Sequence, residues 1–179
     1  MYNFDLSYQS DLVKTIAGVD EAGRGPLAGP VCTAAVIMPL DADKIIPEIN
    51  DSKKLTEKKR EKLYDQIVNT AVAYNIVLID EKTIDQVNIL NATKLGMKQA
   101  ILGLNVKPDV VLVDAVPLNV EIKTESIIKG DAKSYNIAAA SILANSSRTT
   151  FSSKRVNKTS IFSNVIPALA STKFQTAFS

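Results

Sequence analysis

The apolar positions of the chain form short blocks separated by polar loops. Residues 14–19 and 31–38 are two such blocks, and a segment with three glycines and two prolines lies between them. Short apolar blocks of this kind predict buried strands, and the tight connection favours an antiparallel pair. The same pattern predicts further strands at residues 72–79, 109–114 and 120–128.

Three other segments have helical spacing. Residues 56–70 begin with Thr56, a favourable N-cap, and residues 83–104 place apolar side chains at helical intervals until Pro108. Residues 137–144 predict the start of a buried helix. The resulting order, β-β-α-β-α-β-β-α, predicts an α/β fold with some antiparallel pairing.

The pattern ends at Ala144. Residues 145–179 contain thirteen Ser or Thr, four of the five Phe and no acidic residue, and they show no sustained helical or alternating period. We therefore divide the chain into a domain at residues 1–144 and an atypical tail at residues 145–179. One hypothesis is that the tail is a frameshifted end, testable in the coding DNA. The alternative is a divergent tail that docks its Phe side chains, and whether it is ordered or disordered stays open.

Composition narrows the chemistry. The chain has no histidine and one cysteine, Cys32, which excludes histidine-based triads, His-ligated metals and disulfide frameworks. Carboxylates remain as hard ligands that suit Mg²⁺ or Mn²⁺. The N-terminus lacks a signal-peptide pattern and no apolar run is long enough for a membrane span, so we expect a cytoplasmic protein with no membrane partner.

Three carboxylates occur at predicted strand ends. Asp20 and Glu21 follow the first strand, and Asp114 ends the fourth. Ligands of α/β sheets gather beyond strand ends, so these acids are candidates for one or two divalent ions. Neighbouring strand residues point to opposite faces, so Asp20 and Glu21 need a local twist to share a site, which the glycines that follow can provide. Taken alone, each acid is more often a solvated turn residue or a helix cap than a functional group.

Two polar loops are candidates for substrate contact. Gly23, Arg24 and Gly25 form a glycine-rich turn that permits close backbone approach to a sugar-phosphate. Lys53 and Lys54 are placed to hold a phosphate, although an exposed lysine pair is more often only a solvated surface.

Four sequence blocks resemble the ribonuclease HII family, in the same order, over about residues 14–144. The blocks are DEAGRGPLAGPV from Asp20, DSKKL from Asp51, VLVD ending at Asp114, and KGDAKS from Lys129 followed by IAAASILA from Ile137. The resemblance implies a ribonuclease H-like fold, a mixed five-stranded sheet flanked by helices. It also implies a metal-dependent endonuclease that cuts the RNA strand of RNA–DNA hybrids.

The resemblance also implies residue roles. Asp20, Glu21, Asp114 and Asp131 match the four metal-binding and catalytic acids of the family, with Mn²⁺ or Mg²⁺ as cofactor. Gly23, Arg24 and Gly25 match the segment that senses the ribose 2′-OH, the group that distinguishes RNA from DNA locally. Lys53 would contact a backbone phosphate, and Ser134 would touch the substrate backbone. Substrates would include DNA with single embedded ribonucleotides, cut to 3′-hydroxyl and 5′-phosphate ends, and we expect a monomer.

The resemblance stops after Ala144. The family continues with a Lys-Val-x-Arg-Asp run and a later Gly-Tyr-Gly segment, whereas no tyrosine follows Tyr135 here. Three hypotheses therefore stay open. The chain is an active hybrid-directed nuclease, a catalytically impaired hybrid-binding product of the same family, or another ribonuclease H-like nuclease that is insensitive to the 2′-OH.

Overall fold

A computed structural model describes residues 1–25, 29–49 and 55–156, without the side chains of residues 153–156. Within these residues, five strands and five α-helices form one α/β arrangement. Two short 3-10 turns occur at Ala42–Lys44 and Gly130–Ala132. In chain order the elements are α1 (Tyr2–Leu6), β1 (Ile16–Ala22), β2 (Val31–Ile37), α2 (Glu57–Thr70), β3 (Ala73–Ile79), α3 (Glu81–Val87), α4 (Ile89–Leu102), β4 (Val110–Asp114), β5 (Lys123–Ile127) and α5 (Tyr135–Val156).

The five strands form one mixed sheet in the order β3-β2-β1-β4-β5. β1 pairs antiparallel with β2 and parallel with β4, and β4 pairs parallel with β5. The central strand β1 is therefore the place where the chain changes from antiparallel to parallel pairing. The predicted α/β class, the antiparallel first pair and the mixed five-stranded sheet flanked by helices are all confirmed.

Helices cover both faces of the sheet because the central strands are apolar on both sides. Cys32, Ala34 and Val36 of β2 pack in one core with side chains from α2 and α5. Ala35 and Ile37, which alternate with them, pack in a second core with side chains from α4. Strand side chains alternate between faces, so β2 supplies both layers at once.

Helix α5 lies directly against the central strand. A Cβ added at Gly18 of β1 would overlap the backbone of Asn136 and Ile137, so only glycine permits this approach. The start of α5 is also held by α1, since Oδ2 of Asp5 accepts hydrogen bonds from the Asn136 backbone and side-chain nitrogens, both at 2.8 Å. The first turn of α5 is thereby fixed over β1.

The helices differ more from the predictions than the strands do. The prediction of a single helix at residues 83–104 is wrong, because the chain forms two helices, α3 and α4, separated at Asn88. Asn88 has a φ of 67°, and its side-chain oxygen caps α4 by accepting a hydrogen bond from the Asn91 backbone N–H at 3.0 Å. Helix α1 was not predicted. The helix expected to start at Ile137 starts at Tyr135 and continues to Val156, past the proposed boundary at Ala144.

Among the described residues, none of the helices is both long enough and apolar enough to pass through a membrane.

Candidate functional site

Asp20 and Asp114 lie at the same edge of the sheet, on neighbouring parallel strands. The register pairs Val19 with Val113, and one further step along both strands places Asp20 beside Asp114. Both side chains point to the face covered by α5, because Val19 and Val113 belong to the core on the opposite face. The sheet therefore brings two of the four predicted acids together.

Glu21 contributes to the site from a position within strand β1. β1 continues through Glu21 to Ala22 in regular pairing with β2, so the strand does not end before Asp20 as predicted. The Glu21 backbone N–H donates to Oδ1 of Asp20 at 2.7 Å, and its Oε1 accepts from Nη1 of Arg24 at 3.2 Å. Its other oxygen, Oε2, is buried and has no hydrogen-bond partner among the described residues.

The three acids repel one another electrostatically. Burial raises the pKa of Asp20 well above its usual value, and the negative charges of Glu21 and Asp114 raise it further, while a hydrogen bond with Ser141 lowers it. Burial also raises the pKa of Glu21, against the lowering effect of Arg24. Carboxylates that are buried, crowded and hard to ionise are a frequent property of functional sites.

Asp131 is linked to this edge through its neighbour. Oδ1 of Asp114 accepts from the Gly130 backbone N–H at 2.6 Å, and Gly130 opens the 3-10 turn that contains the buried Asp131. Two non-glycine residues with left-handed backbones flank the arrangement, Ala115 after Asp114 and Lys129 before Gly130. Such strained positions persist where the surrounding structure enforces them.

A divalent cation suits the donors at this edge. The donors are hard carboxylate oxygens, Oε2 of Glu21 is an acceptor without a partner in the described part of the chain, and neighbouring negative charges disfavour ionisation. Within residues 1–25, 29–49 and 55–156, however, no three acidic or cysteine side chains are already grouped as a metal-holding cluster.

The glycine-rich loop begins directly after β1. Gly23 has a φ of 105°, a left-handed conformation that favours glycine, and a Cβ added at Gly25 would meet no atom of the described residues within 4 Å. The exposed Arg24 pairs with Glu21. This pair joins the loop to the acidic edge, the sheet edge that carries Asp20, Glu21 and Asp114. Lys53, the predicted phosphate contact, and Lys54 beside it lie outside the described residues.

Ser134 is fully buried. Its hydroxyl oxygen accepts from the Ile137 backbone N–H at 3.1 Å, and a hydrogen bond links it to Asp5. In this structure it supports the first turn of α5, so contact with a substrate backbone would need the hydroxyl to become accessible.

Two residues near the site were missed by the sequence interpretation. Ser141, on α5, forms a hydrogen bond with the side chain of Asp20. Arg148, also on α5, extends to the glycine-rich loop, where its Nε donates a hydrogen bond to the Pro30 carbonyl at 3.2 Å. The only signal for Ser141 was one polar residue in an apolar helical run. Arg148 stands where the family's Lys-Val-x-Arg-Asp run has its arginine, a signal that was missed because the neighbouring residues depart from that run.

A mixed sheet in this order, with helices on both faces, is a ribonuclease H-like fold. Ribonuclease H2 from Pyrococcus horikoshii OT3 superposes with a TM-score of 0.70 at 28% identity, covering 88% of this chain and 84% of that one. Bst-RNase HIII in complex with Mn²⁺ superposes with a TM-score of 0.66 at 16% identity, over 82% of this chain and 56% of that one, which shows the fold alone.

The chain belongs to the ribonuclease HII family, whose model matches residues 17–162. It is 57% identical over 134 residues to a ribonuclease HII of Caldicellulosiruptor bescii, covering 74% of this chain and 64% of that protein. It is 46% identical over 157 residues to one of Halalkalibacterium halodurans, covering 86% and 59%. The chain thus spans less than two thirds of the length of these relatives.

Proposed function

We propose that the chain is an endonuclease that hydrolyses the RNA strand of RNA–DNA hybrids and nicks DNA at single embedded ribonucleotides. The main support is the arrangement of Asp20, Glu21 and Asp114 at one sheet edge, with the glycine-rich loop beside it. Family membership supports the same reaction class. The products would be a 3′-hydroxyl and a 5′-phosphate.

Asp20, Glu21, Asp114 and Asp131 are the proposed metal-binding and catalytic acids. One or two divalent ions held there would activate water and neutralise charge on the leaving oxygen. Mg²⁺ and Mn²⁺ both suit carboxylates, and a neighbour of the same fold is known in complex with Mn²⁺. Asp20 and Asp114 supply oxygens from adjacent strands, while the Gly130 N–H holds Asp114 in orientation.

The proposed substrate contacts lie in the loops. Gly23 and Gly25 allow the backbone to approach a ribose. Arg24, which lies between them in the same loop, pairs with Glu21. Lys53 is proposed to hold a phosphate, and contact by Ser134 stays a prediction. We further propose that the chain acts on duplexes as a monomer in the cytoplasm.

One assay tests this function. Purified protein is incubated with a duplex containing a single ribonucleotide, with Mn²⁺, with Mg²⁺ and with chelator. We expect a nick only with metal, and a loss of at least about 1,000-fold in Asp20→Asn, because metal-assisted hydrolysis lowers the barrier by several kcal/mol. The exposed variant Asp41→Asn is the control for removing one carboxylate.

A catalytically impaired hybrid-binding protein is the second candidate. It is supported by the departure from the family's Lys-Val-x-Arg-Asp run after Ala144, where Thr149 stands in place of the aspartate. Hybrid binding without turnover in either metal would favour this candidate. Nicking of an all-DNA duplex at the same rate would instead contradict recognition of the 2′-OH.

A further inference from the structure

The Arg148 side chain lies between the two ends of the glycine-rich loop. Its Nε donates to the Pro30 carbonyl at 3.2 Å, where the loop enters β2. A Cβ added at Gly23 would lie 2.5 Å from the same Nε, and one added at Gly29 would lie 3.3 Å from Nη2. One side chain from α5 thus contacts both the exit from β1 and the entry to β2.

The backbone of the loop is shaped to accept this arginine. Gly23 and Gly29 have φ values of 105° and 121°, so both lack a side chain on the surface that faces Arg148 and adopt conformations that L side chains rarely take. The planar guanidinium has donors at fixed angles, which a lysine ammonium lacks. The orientation of the Arg148 guanidinium therefore restricts where the loop leaves β1 and where it enters β2.

We propose that Arg148 is a positioning residue that sets the conformation of Gly23, Arg24 and Gly25. This role rests on the proposed function, in which these three residues read the ribose. Arg148 acts through the loop and does not itself contact the substrate. It connects α5, which bonds Asp20 through Ser141, to the segment proposed to recognise the 2′-OH.

The test compares Arg148→Met with the full-length wild type. Steady-state nicking of a single-ribonucleotide duplex gives kcat and KM separately, and hydrogen exchange of peptides covering residues 19–33 reports loop order without substrate. We expect kcat/KM to fall by about 10–100-fold, mostly through KM, because misplacement of a positioning group by about 1 Å has effects of this size. We also expect faster exchange in the loop peptides.

Lys62→Met removes one positive charge from an exposed position of α2 and is the matched control, expected to stay within about twofold of wild type. Unchanged KM and unchanged loop exchange in Arg148→Met would overturn the role, as would a fall in kcat alone with normal exchange. If Arg148→Met does not fold, Arg148→Lys is measured instead. A higher KM together with faster exchange in the loop peptides supports the role, and no change in either overturns it.

The contact between Arg148 and Gly23 can be tested separately by combining variants. Gly23→Ala places a methyl group against both the Arg148 side chain and the Pro30 carbonyl, and Arg148→Ala removes the first of these two obstructions, so the double variant should lose less than the product of the two single losses. A multiplicative loss would overturn the contact. If wild type itself does not nick, the proposed function fails, whereas loop exchange still decides the role of Arg148.

Discussion

At the scale of single residues, the acidic edge places function in conflict with stability. Burial and the charges of Glu21 and Asp114 raise the pKa of Asp20, so its ionised form destabilises the fold at neutral pH. We predict that Asp20→Asn melts at a higher temperature than wild type in chelator, by roughly 2–4 °C for each kcal/mol of repulsion removed.

Metal should reverse this order. Mn²⁺ binding to the folded state raises the melting temperature of wild type, and the increase should be much smaller in Asp20→Asn. The two proteins are compared by thermal melts with and without Mn²⁺. Equal shifts in both would mean that Asp20 does not bind the ion.

Ser141 should control how well Asp20 holds a cation. Its hydrogen bond favours the ionised carboxylate, so Ser141→Ala leaves Asp20 less well oriented and harder to ionise. We predict a loss of about 10–100-fold in Mn²⁺ affinity, the usual effect of removing a hydrogen bond behind a metal ligand. Calorimetric titration checks this prediction, and Ser126→Ala on the exposed part of β5 serves as the control.

Asp5 gives the fold a pH dependence away from the acidic edge. Burial raises the pKa of Asp5, although hydrogen bonds with Asn136 and Ser134 partly oppose this. Between its unfolded and folded pKa values, the folded protein binds more protons, so this contribution is complete at low pH and is lost as pH rises through the folded pKa. Denaturant unfolding across pH should therefore show a smaller decline with rising pH in Asp5→Asn.

At the scale of elements, the approach of α5 to β1 depends on one glycine. Gly18→Ala forces a methyl group into the backbone at Asn136, so α5 must move away from the strand that positions Asp20. We predict a loss of about 1–3 kcal/mol in the free energy of unfolding. Gly25→Ala, whose added methyl group meets none of the residues that the structure describes within 4 Å, should change it by less than about 0.5 kcal/mol.

The strands were predictable because their apolar blocks are buried on both faces. Each observed strand lies within the predicted block or extends it by a few residues, as β1 does from Val19 to Ala22. The break at Asn88 was missed because apolar spacing continues across it, while Asn88 itself has a positive φ and caps the next helix. The continuation of α5 was missed because its polar residues bond the helix itself, as Thr149 and Thr150 do to the carbonyls of Asn145 and Ser146.

The candidate site was only partly predictable from strand ends. Asp20 and Asp114 must lie close together once β1 and β4 are parallel neighbours. The local hydrophobic periodicity of the sequence, however, does not predict the order of the strands. The position of Asp131 entered only through the family resemblance, because it lies in a turn without a pattern of its own. Ser141 and Arg148 depend on the placement of α5 over β1, which no local signal specifies.

At the scale of the whole molecule, the boundary proposed at Ala144 lies inside a continuous helix. α5 runs from Tyr135 to Val156, and the family match extends to residue 162. The division into residues 1–144 and 145–179 stays a prediction, as does the frameshift hypothesis. For the latter, the coding DNA beyond codon 144 should contain an alternative frame that restores the Arg-Asp helix and the Gly-Tyr-Gly segment.

Two shortened chains measure where the folding unit ends. A chain of residues 1–144 loses the hydrogen bonds from Arg148 to Pro30 and between Ser147 and Tyr64, which join α5 to the loop and to α2. At about 1 kcal/mol each, their loss should destabilise it by at least about 2 kcal/mol relative to residues 1–156. Thermal melts should then differ by about 4 °C or more. Equal melting temperatures would instead support a domain that is complete at Ala144, because the contacts made by Ser147 and Arg148 would then add nothing to the fold.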